Sequence, residues 1–462
     1  MSQLITMIKT PLGTRDFGPE EALVRERLLD CIRDVFKKYG GKPLETPTFE
    51  RREYLMKKYG DDTKLIYDLK TEQGDCDREA NNEDNAPEML SLRYDLTIPL
   101  ARYLAQNNLV KLRRYQIAKV FRRDQPNVTK ARLREFYQCD FDIIGEPETM
   151  IPEIQLLKIG QEILQKFGIN FKIKFNFRNN LIEILQLSGV PTDLYLTTCS
   201  SLDKLDKKSW DEIKEELVTK QLTLEQVNQI KEKLDSQYLS TTVRPLYEKF
   251  CNFAKIMGLD QYLQYDLCLA RGMDYYTGLI FEFVIPEMPE IGTVMAGGRY
   301  DNLTQMFKES LQTPAIGLSV GFERIYFYLS QKSSKMISES NLPIVYLASI
   351  TKDTQSEQVA VLTQYKLQLY NALLTGFPRC QIILDADETP PLSKQINTAL
   401  EANADYLVFI GNRELSEKTV TVKDLKLRKQ QTVNYDEFLA LMSRSLETFN
   451  QELTNSKLTN SK

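Results

Sequence analysis

Residues 111–145 read KLRRYQIAKVFRRDQPNVTKARLREFYQCDFDIIG. Two segments rich in Tyr, Val, Phe and Ile flank a polar tip, QPNVTK at 125–130. That pattern predicts an antiparallel hairpin. Its charge is one-sided. Lys111, Arg113, Arg114, Lys119, Arg122, Arg123, Lys130, Arg132 and Arg134 stand against a single acid before residue 135, Asp124. A solvated strand face tolerates such charge. However, Arg122 follows directly on an apolar strand, and the patch runs into the half-apolar REFYQCDFDIIG. A hairpin offering arginines to a phosphate chain or an RNA backbone fits better.

The rest of the chain limits what such a hairpin could serve. Among 462 residues there is no histidine. This excludes a Ser-His-Asp triad, a His-activated cysteine, an HExxH or Cys₂His₂ zinc site and an imidazole pH switch. Any chemistry falls to carboxylates, cations, hydroxyls and backbone dipoles. Net charge is only −4, so nucleic acid would be met by a local basic patch rather than by overall charge. The 7 cysteines form no CxxC pair, which predicts reduced thiols in a cytoplasmic protein and no metal cluster. No apolar run reaches membrane-spanning length. The opening MSQLITMIKT has neither a signal-peptide core nor an Arg-rich amphipathic leader.

Working outward, 18–40 reads as a helix, with Pro19 in its first turn, Gly40-Gly41 after it and a stripe of Leu28, Ile32, Val35, Phe36 and Tyr39. A short extended piece ends in ETPTFE, and 71–88 is an acidic loop. Helices are predicted at 151–168 and through most of 183–260, and strands at 278–284 and 293–298. A helix near 320–330 ends the first domain, 1–331. The polar stretch 332–342 is the expected linker. Alternating strands and helices over 343–449 predict a small α/β domain, and the tail 450–462 is expected to be disordered.

Three further segments carry polar groups into apolar strands. LARGMDYYTGLIFEFV (269–284) sets Arg271, Asp274, Tyr275, Tyr276 and Thr277 before a buried-looking strand. MAGGRYDNL (295–303) has Gly297-Gly298, which permits close backbone approach. GLSVGFER (317–324) spaces two glycines before Glu323-Arg324, which open the next helix. No P-loop or GxGxxG is present, so a nucleotide would be held by arginines.

In order along the chain, these pieces resemble the three motifs of a class II aminoacyl-tRNA synthetase. Motif 1 resembles the 18–40 helix with the strand carrying Pro47. Motif 2 is similar to FRRD (121–124) through Arg132 and Phe136, and motif 3 to GLSVGFER ending in Arg324. Within the class, PLGTRDFGPE (11–20), LRYDLTIPLARYLA (92–105), REFYQCDFDIIG (134–145), LARGMDYYTG (269–278) and AGGRYDNL (296–303) resemble the histidyl-tRNA synthetase family, in its eukaryotic-type branch. SKQINTALEANADYLVFIG (393–411) resembles that family's anticodon-binding domain.

The resemblance implies an α+β fold. Its catalytic domain would be built on an antiparallel sheet with flanking helices and a mostly helical insertion, followed by the C-terminal α/β domain. It implies ATP-dependent ligation of L-histidine to tRNA(His) through a histidyl adenylate. Arg122, Arg271 and Arg324 would be catalytic cations, and Arg122, Asp124, Phe136 and Arg324 would bind ATP, with Phe136 stacked on adenine. Histidine would meet Asp95, Leu96, Thr97, Arg122, Gln138, Asp142, Arg271, Tyr275 and Tyr276, with Asp142 accepting an imidazole N–H. Lys130, Arg132 and Arg134 would touch the tRNA acceptor end. Mg²⁺ would accompany ATP, no resident metal is implied, and the partner would be a second copy in a homodimer. Two departures stand out. The tip has Lys130-Ala131-Arg132 where the family often has Arg-Gly-Arg, and Gln116 stands where it commonly has histidine. A catalytically silent relative serving as sensor or regulator is the alternative reading, but it should have lost the phosphate-binding arginines.

Overall fold

The computed structural model describes residues 8–59, 64–70, 89–127, 131–270, 275–332, 343–350, 356–377, 380–384, 391–435, 437–440 and 442. The acidic loop 71–88, the tail 450–462 and all of the expected linker except Lys332 lie outside them, as do Lys130 and Arg271. The chain divides into two compact units, Met1–Ile337 and Ser338–Lys462.

In the first unit the strands are β1 (Lys42–Pro43), β2 (Phe49–Arg51), β3 (Leu90–Leu92), β4 (Leu112–Phe121), β5 (Glu135–Ile144), β6 (Lys172–Phe177), β7 (Leu263–Tyr265), β8 (Leu279–Val284), β9 (Thr293–Arg299) and β10 (Ala315–Gly321). Eight of them form one sheet in the order β1-β4-β5-β10-β9-β8-β6-β7. Pairing is antiparallel from β4 to β6, and a short parallel strand closes each edge. The expected hairpin is β4 and β5, paired from Leu112↔Ile144 to Phe121↔Glu135.

The period-2 alternation of β5 decides which face does what. Cys139, Phe141 and Ile143 join the main core with Leu28, Ile32 and Phe36 of the Pro19–Lys38 helix and Ile154 and Leu157 of the Ile151–Lys166 helix. Phe136, Gln138, Asp140 and Asp142 fall on the opposite face by the same alternation. The helical stretch from Arg178 to Ile256 holds five α-helices; the first four surround a separate core that includes Leu181, Ile184, Ile213, Leu217 and Ile230, whereas Phe250 and Ala254 of Arg244–Ile256 join the main core.

The second unit holds a five-stranded sheet built on Ile344–Ile350, with parallel partners Gln381–Leu384 and Tyr406–Gly411 and antiparallel Thr419–Asp424 beyond. Its last strand, Lys429–Asn434, is not expected from the sequence. It pairs antiparallel with Thr419–Asp424, and helical backbone begins at Tyr435.

Candidate active site

Phe136, Gln138, Asp140 and Asp142 share their face of the sheet with Arg114 and Gln116 of β4 and with Gly317, Ser319 and Gly321 of β10. Over this face opens a cleft of about 380 Å³. Its wall includes Arg122, Asp124, Arg132, Phe136, Gln138, Tyr275, Tyr276 and Arg324.

Two cations mark one side. Arg122 leaves the end of β4, donates from Nε to the Tyr94 carbonyl at 3.1 Å, and lies over the rings of Tyr94 (4.3 Å) and Phe136 (5.2 Å). Arg324 opens the Phe322–Lys332 helix and donates to the Thr293 carbonyl. Its neighbour Glu323 accepts a two-pronged contact from Arg25, with one arm at 2.8 Å, so the Pro19–Lys38 helix and the helix that presents Arg324 are tied together. The Arg25 guanidinium also sits 3.7 Å over the ring of Phe17.

At the tip of the hairpin, Asp124 meets Arg132 at 3.3 Å. Ala131, which stands where the family often has glycine, has φ +51°, in the left-handed region that favours glycine, so alanine carries backbone strain there. Arg134 lies elsewhere. It donates to the Asp124 carbonyl at 3.0 Å, and its N–H bonds the Gly13 carbonyl at 2.8 Å. It holds the N-terminal turn against the hairpin and is not part of the cleft wall.

The part of the cleft around Tyr275 and Tyr276 is built by close approach. Tyr275 and Tyr276 pack with ring centroids 4.3 Å apart and their planes tilted by 44°. A Cβ at Gly298 would come within 2.9 Å of the Tyr276 ring, so only glycine leaves room for it. Burial lifts the Tyr276 hydroxyl well above its ordinary pKa, with Tyr275 adding to the effect, and keeps it a neutral donor and acceptor.

Among the described residues, four expected histidine contacts, Asp95, Leu96, Thr97 and Asp142, are not in the cleft lining. Asp95 is a buried cap whose Oδ1 accepts from the N–H groups of Thr97 (3.1 Å) and Ile98 (3.0 Å), at the start of the Thr97–Asn107 helix. Leu96 is wholly buried, and its carbonyl accepts from Arg114 at 3.1 Å. Asp142, 3% exposed, pairs with the fully buried Arg114 at 2.8 Å and accepts the Tyr300 hydroxyl. A Cβ at Gly317 would lie 2.2 Å from Asp142 Oδ1, so this carboxylate presses on β10. Gln116, the second departure, is also buried and donates to Thr46 Oγ1 at 2.9 Å.

Sequence reading missed Arg114, Asp140, Tyr300, Ser319 and the cleft-lining Glu282. Ser319 donates to Asp140 at 2.6 Å and receives Gln138 Nε2 at 3.3 Å. Burial raises Asp140 to about 7, with Arg114 opposing and Asp142 and Asp95 adding to the rise.

The comparisons bear on this geometry. The family model described as Histidyl-tRNA synthetase matches residues 13–325, and one described as Anticodon binding domain matches 345–444. The chain is 37% identical to a cytoplasmic histidine–tRNA ligase of Dictyostelium discoideum, over 96% of this chain and 92% of that protein. It is 36% identical to a mitochondrial histidine–tRNA ligase of Mus musculus, over 95% and 89%. The crystal structure of histidyl-tRNA synthetase from Nostoc sp. PCC 7120 superposes with a TM-score of 0.71 at 25% identity, covering 95% of this chain and 99% of that one.

Proposed function

The chain belongs to the histidyl-tRNA synthetase family, and on that premise we infer that it is a class II histidine–tRNA ligase, joining L-histidine to tRNA(His) at the expense of ATP. One observation carries the residue roles. A single cleft gathers Arg122, Phe136, Gln138, Tyr276 and Arg324 from separate parts of the fold.

In the first step a histidine carboxylate oxygen attacks the α-phosphorus of ATP in line, and pyrophosphate leaves with the electron pair of the broken P–O bond. Positioning and fixed positive charge do most of such work, and no imidazole base is needed. Arg122 meets the α-phosphate, Arg324 the γ-phosphate, and the Phe136 face takes adenine. Arg271 belongs at the α-phosphate by resemblance alone. Gln138 and the two tyrosines receive histidine. Asp95 and Asp142 act from behind, one by capping the Thr97–Asn107 helix and the other by fixing Arg114 and Tyr300. In the second step a tRNA 3′-terminal hydroxyl attacks the adenylate carbonyl and AMP leaves. Arg132 lies on the tip that would approach the acceptor end, Lys130 is assigned there by resemblance alone, and Arg134 supports the tip.

Mg²⁺ enters with ATP as the counter-ion of its phosphates. Asp124 and Glu282 on the cleft wall are hard oxygen donors of the kind it prefers. A homodimer through the Pro19–Lys38 helix follows from the motif 1 resemblance. A groove of about 670 Å³ lined by Phe17, Leu23 and Leu29 lies along that helix, and a monomeric mass by light scattering at micromolar concentration would refute the dimer. A cytoplasmic site of action is favoured by relatives named cytoplasmic, although mitochondrial ones occur. No described helix is long and apolar enough to cross a membrane.

The decisive measurement is ATP–pyrophosphate exchange with each of the twenty amino acids. Histidine alone should stimulate it. Stimulation by another amino acid would overturn the specificity, and exchange with none would favour the silent relative.

A further inference from the structure

We propose that Asp140 is a positioning residue for the amino-acid pocket. Acting through Ser319, it holds the Gln138 amide with its carbonyl oxygen, not its NH₂, available to the substrate's α-ammonium. This rests on the ligase reading above and deepens it.

The argument is one of donor bookkeeping. Across β5 and β10, Asp140 stands opposite Ser319 and Gln138 opposite Gly321, so the serine hydroxyl lies between the two β5 side chains. An ionised carboxylate can only accept, and a hydroxyl has one proton to give. Ser319 spends that proton on Asp140 at 2.6 Å. It can then only accept from Gln138, which supplies Nε2 at 3.3 Å. The amide is thereby oriented. Gln138 Oε1 is buried and has no hydrogen-bond partner among the described residues, on a side chain that lines the cleft. A buried acceptor left open needs a donor, and an ammonium is the strongest candidate the substrate offers.

The groups facing Asp140 set its ionisation. Arg114 of β4 favours the carboxylate, and Asp142 and Asp95 oppose it. The hydroxyls of Tyr276 and Tyr300 lie near enough to feel its charge. Gln116, directly across on β4, is occupied by Thr46. Burial brings Asp140 to about 7, so the relay reverses on mild acidification. A protonated Asp140 donates to Ser319, Ser319 turns its proton to Gln138 Oε1, and the NH₂ group then faces the ammonium.

Histidine-dependent ATP–pyrophosphate exchange of the full chain tests this with Asp140→Asn, Ser319→Ala and the double variant. Asn can donate to Ser319 and reverse the relay. Asp140→Asn should therefore raise KM for histidine by about 10- to 100-fold, the cost of presenting the wrong polar group, with kcat within about threefold. Ser319→Ala should raise KM only slightly. The double variant should recover toward Ser319→Ala, because without the hydroxyl nothing transmits the reversal. Losses that multiply, a loss confined to kcat, or an unchanged KM in Asp140→Asn would overturn the proposal. If Asp140→Asn does not fold, the native protein and Ser319→Ala decide. Native KM for histidine should rise more steeply from pH 8 to 6 than that of Ser319→Ala, and superimposable profiles would refute the relay. Absence of histidine exchange in the native protein would instead overturn the ligase reading beneath it.

Discussion

Replacing Arg299 by Met should destabilise the catalytic unit in a way that depends on pH. Arg299 and Glu153 are both 0% exposed. The guanidinium donates from Nε to Glu153 Oε1 at 2.7 Å, to Asp301 at 3.1 Å, and to the carbonyls of Glu146 and Pro147 at 3.2 and 3.4 Å. Methionine fills the space of the stem but leaves Glu153 buried without its counter-ion, and such a carboxyl escapes by taking a proton. From an ordinary pKa of 4.5, protonation at pH 7 costs about 3.4 kcal/mol, and at pH 5 about 0.7 kcal/mol. The orphaned carbonyls add about 1–2 kcal/mol that does not vary with pH. The sign follows from proton counts. Above pH 4.5 the unfolded chain has released the proton that the folded variant keeps, so its stability falls as pH rises. Burial already lifts Glu153 above 4.5 in the native protein, against the opposing pull of Arg299, so the expected loss is at most about 5 kcal/mol at pH 7 and at most about 3 kcal/mol less at pH 5. Glu148, 4.0 Å from the guanidinium, moves in the same direction. Urea unfolding followed by the fluorescence of Trp210, the 1 tryptophan of the chain, measures it. Equal losses at the two pH values would refute the stranded-carboxyl account. So would an Arg299→Met/Glu153→Met pair no more stable than Arg299→Met alone.

Other perturbations separate the parts of the site. Phe136→Leu should raise KM for ATP by about tenfold while leaving KM for histidine within about twofold, since ring stacking on a base contributes about 1–3 kcal/mol; equal changes in both would remove adenine from that face. Ala131→Gly relieves a left-handed backbone and should change stability by less than about 1 kcal/mol. It should leave pyrophosphate exchange unchanged and shift only KM for tRNA, so a change in exchange would count against the tip assignment. Arg25→Met strands the buried Glu323 beside Arg324, and KM for ATP should rise several-fold as the helix start loosens; an unaltered ATP dependence would show that the tie is purely structural. Glu148 is lifted to about 7 by burial, so stability carried by its neutral folded form is lost between pH 4.5 and 7. Glu148→Gln should flatten that part of the pH–stability curve, and parallel curves would contradict it.

Where one face of an element meets the core, the sequence already told its structure. The Pro19–Lys38 helix shows its buried stripe, and the β4–β5 hairpin shows its alternation around a polar tip. Lys429–Asn434 shows neither, because KQQTVN is an exposed edge strand with no apolar side to read. The site divides in the same way. Cations that end a strand or open a helix, such as Arg122 and Arg324, stand out against apolar neighbours. Arg114 and Asp142 do not, because their pairing depends on the β4–β5 register, which places them opposite each other. The same register argument hides Asp140 and Ser319, which lie far apart in sequence and meet only when β10 docks on β5.

A chain without histidine lacks the one side chain whose ordinary pKa falls between pH 6 and 8. Among the described residues two carboxyls are nevertheless brought there, one under the cleft-lining Ser319 and Gln138 and one beside the buried Arg299. Asp140 sits in the sheet under Ser319 and Gln138, raised to about 7 chiefly by burial. Glu148 packs behind the segment that carries the two tyrosines, where a Cβ at Gly278 would meet its Oε1 at 2.3 Å, and burial again brings it to about 7. In this enzyme the imidazole in the pocket is the substrate's own. Any pH dependence of histidine binding near neutrality therefore combines a ligand that gains charge on acidification with a carboxyl that loses it. The conservative amide at 140 removes the share carried through Ser319 and Gln138 and leaves the substrate's, whereas the amide at 148 should act on stability alone. The difference between the native and Asp140→Asn profiles is then a direct reading of what that buried carboxyl contributes.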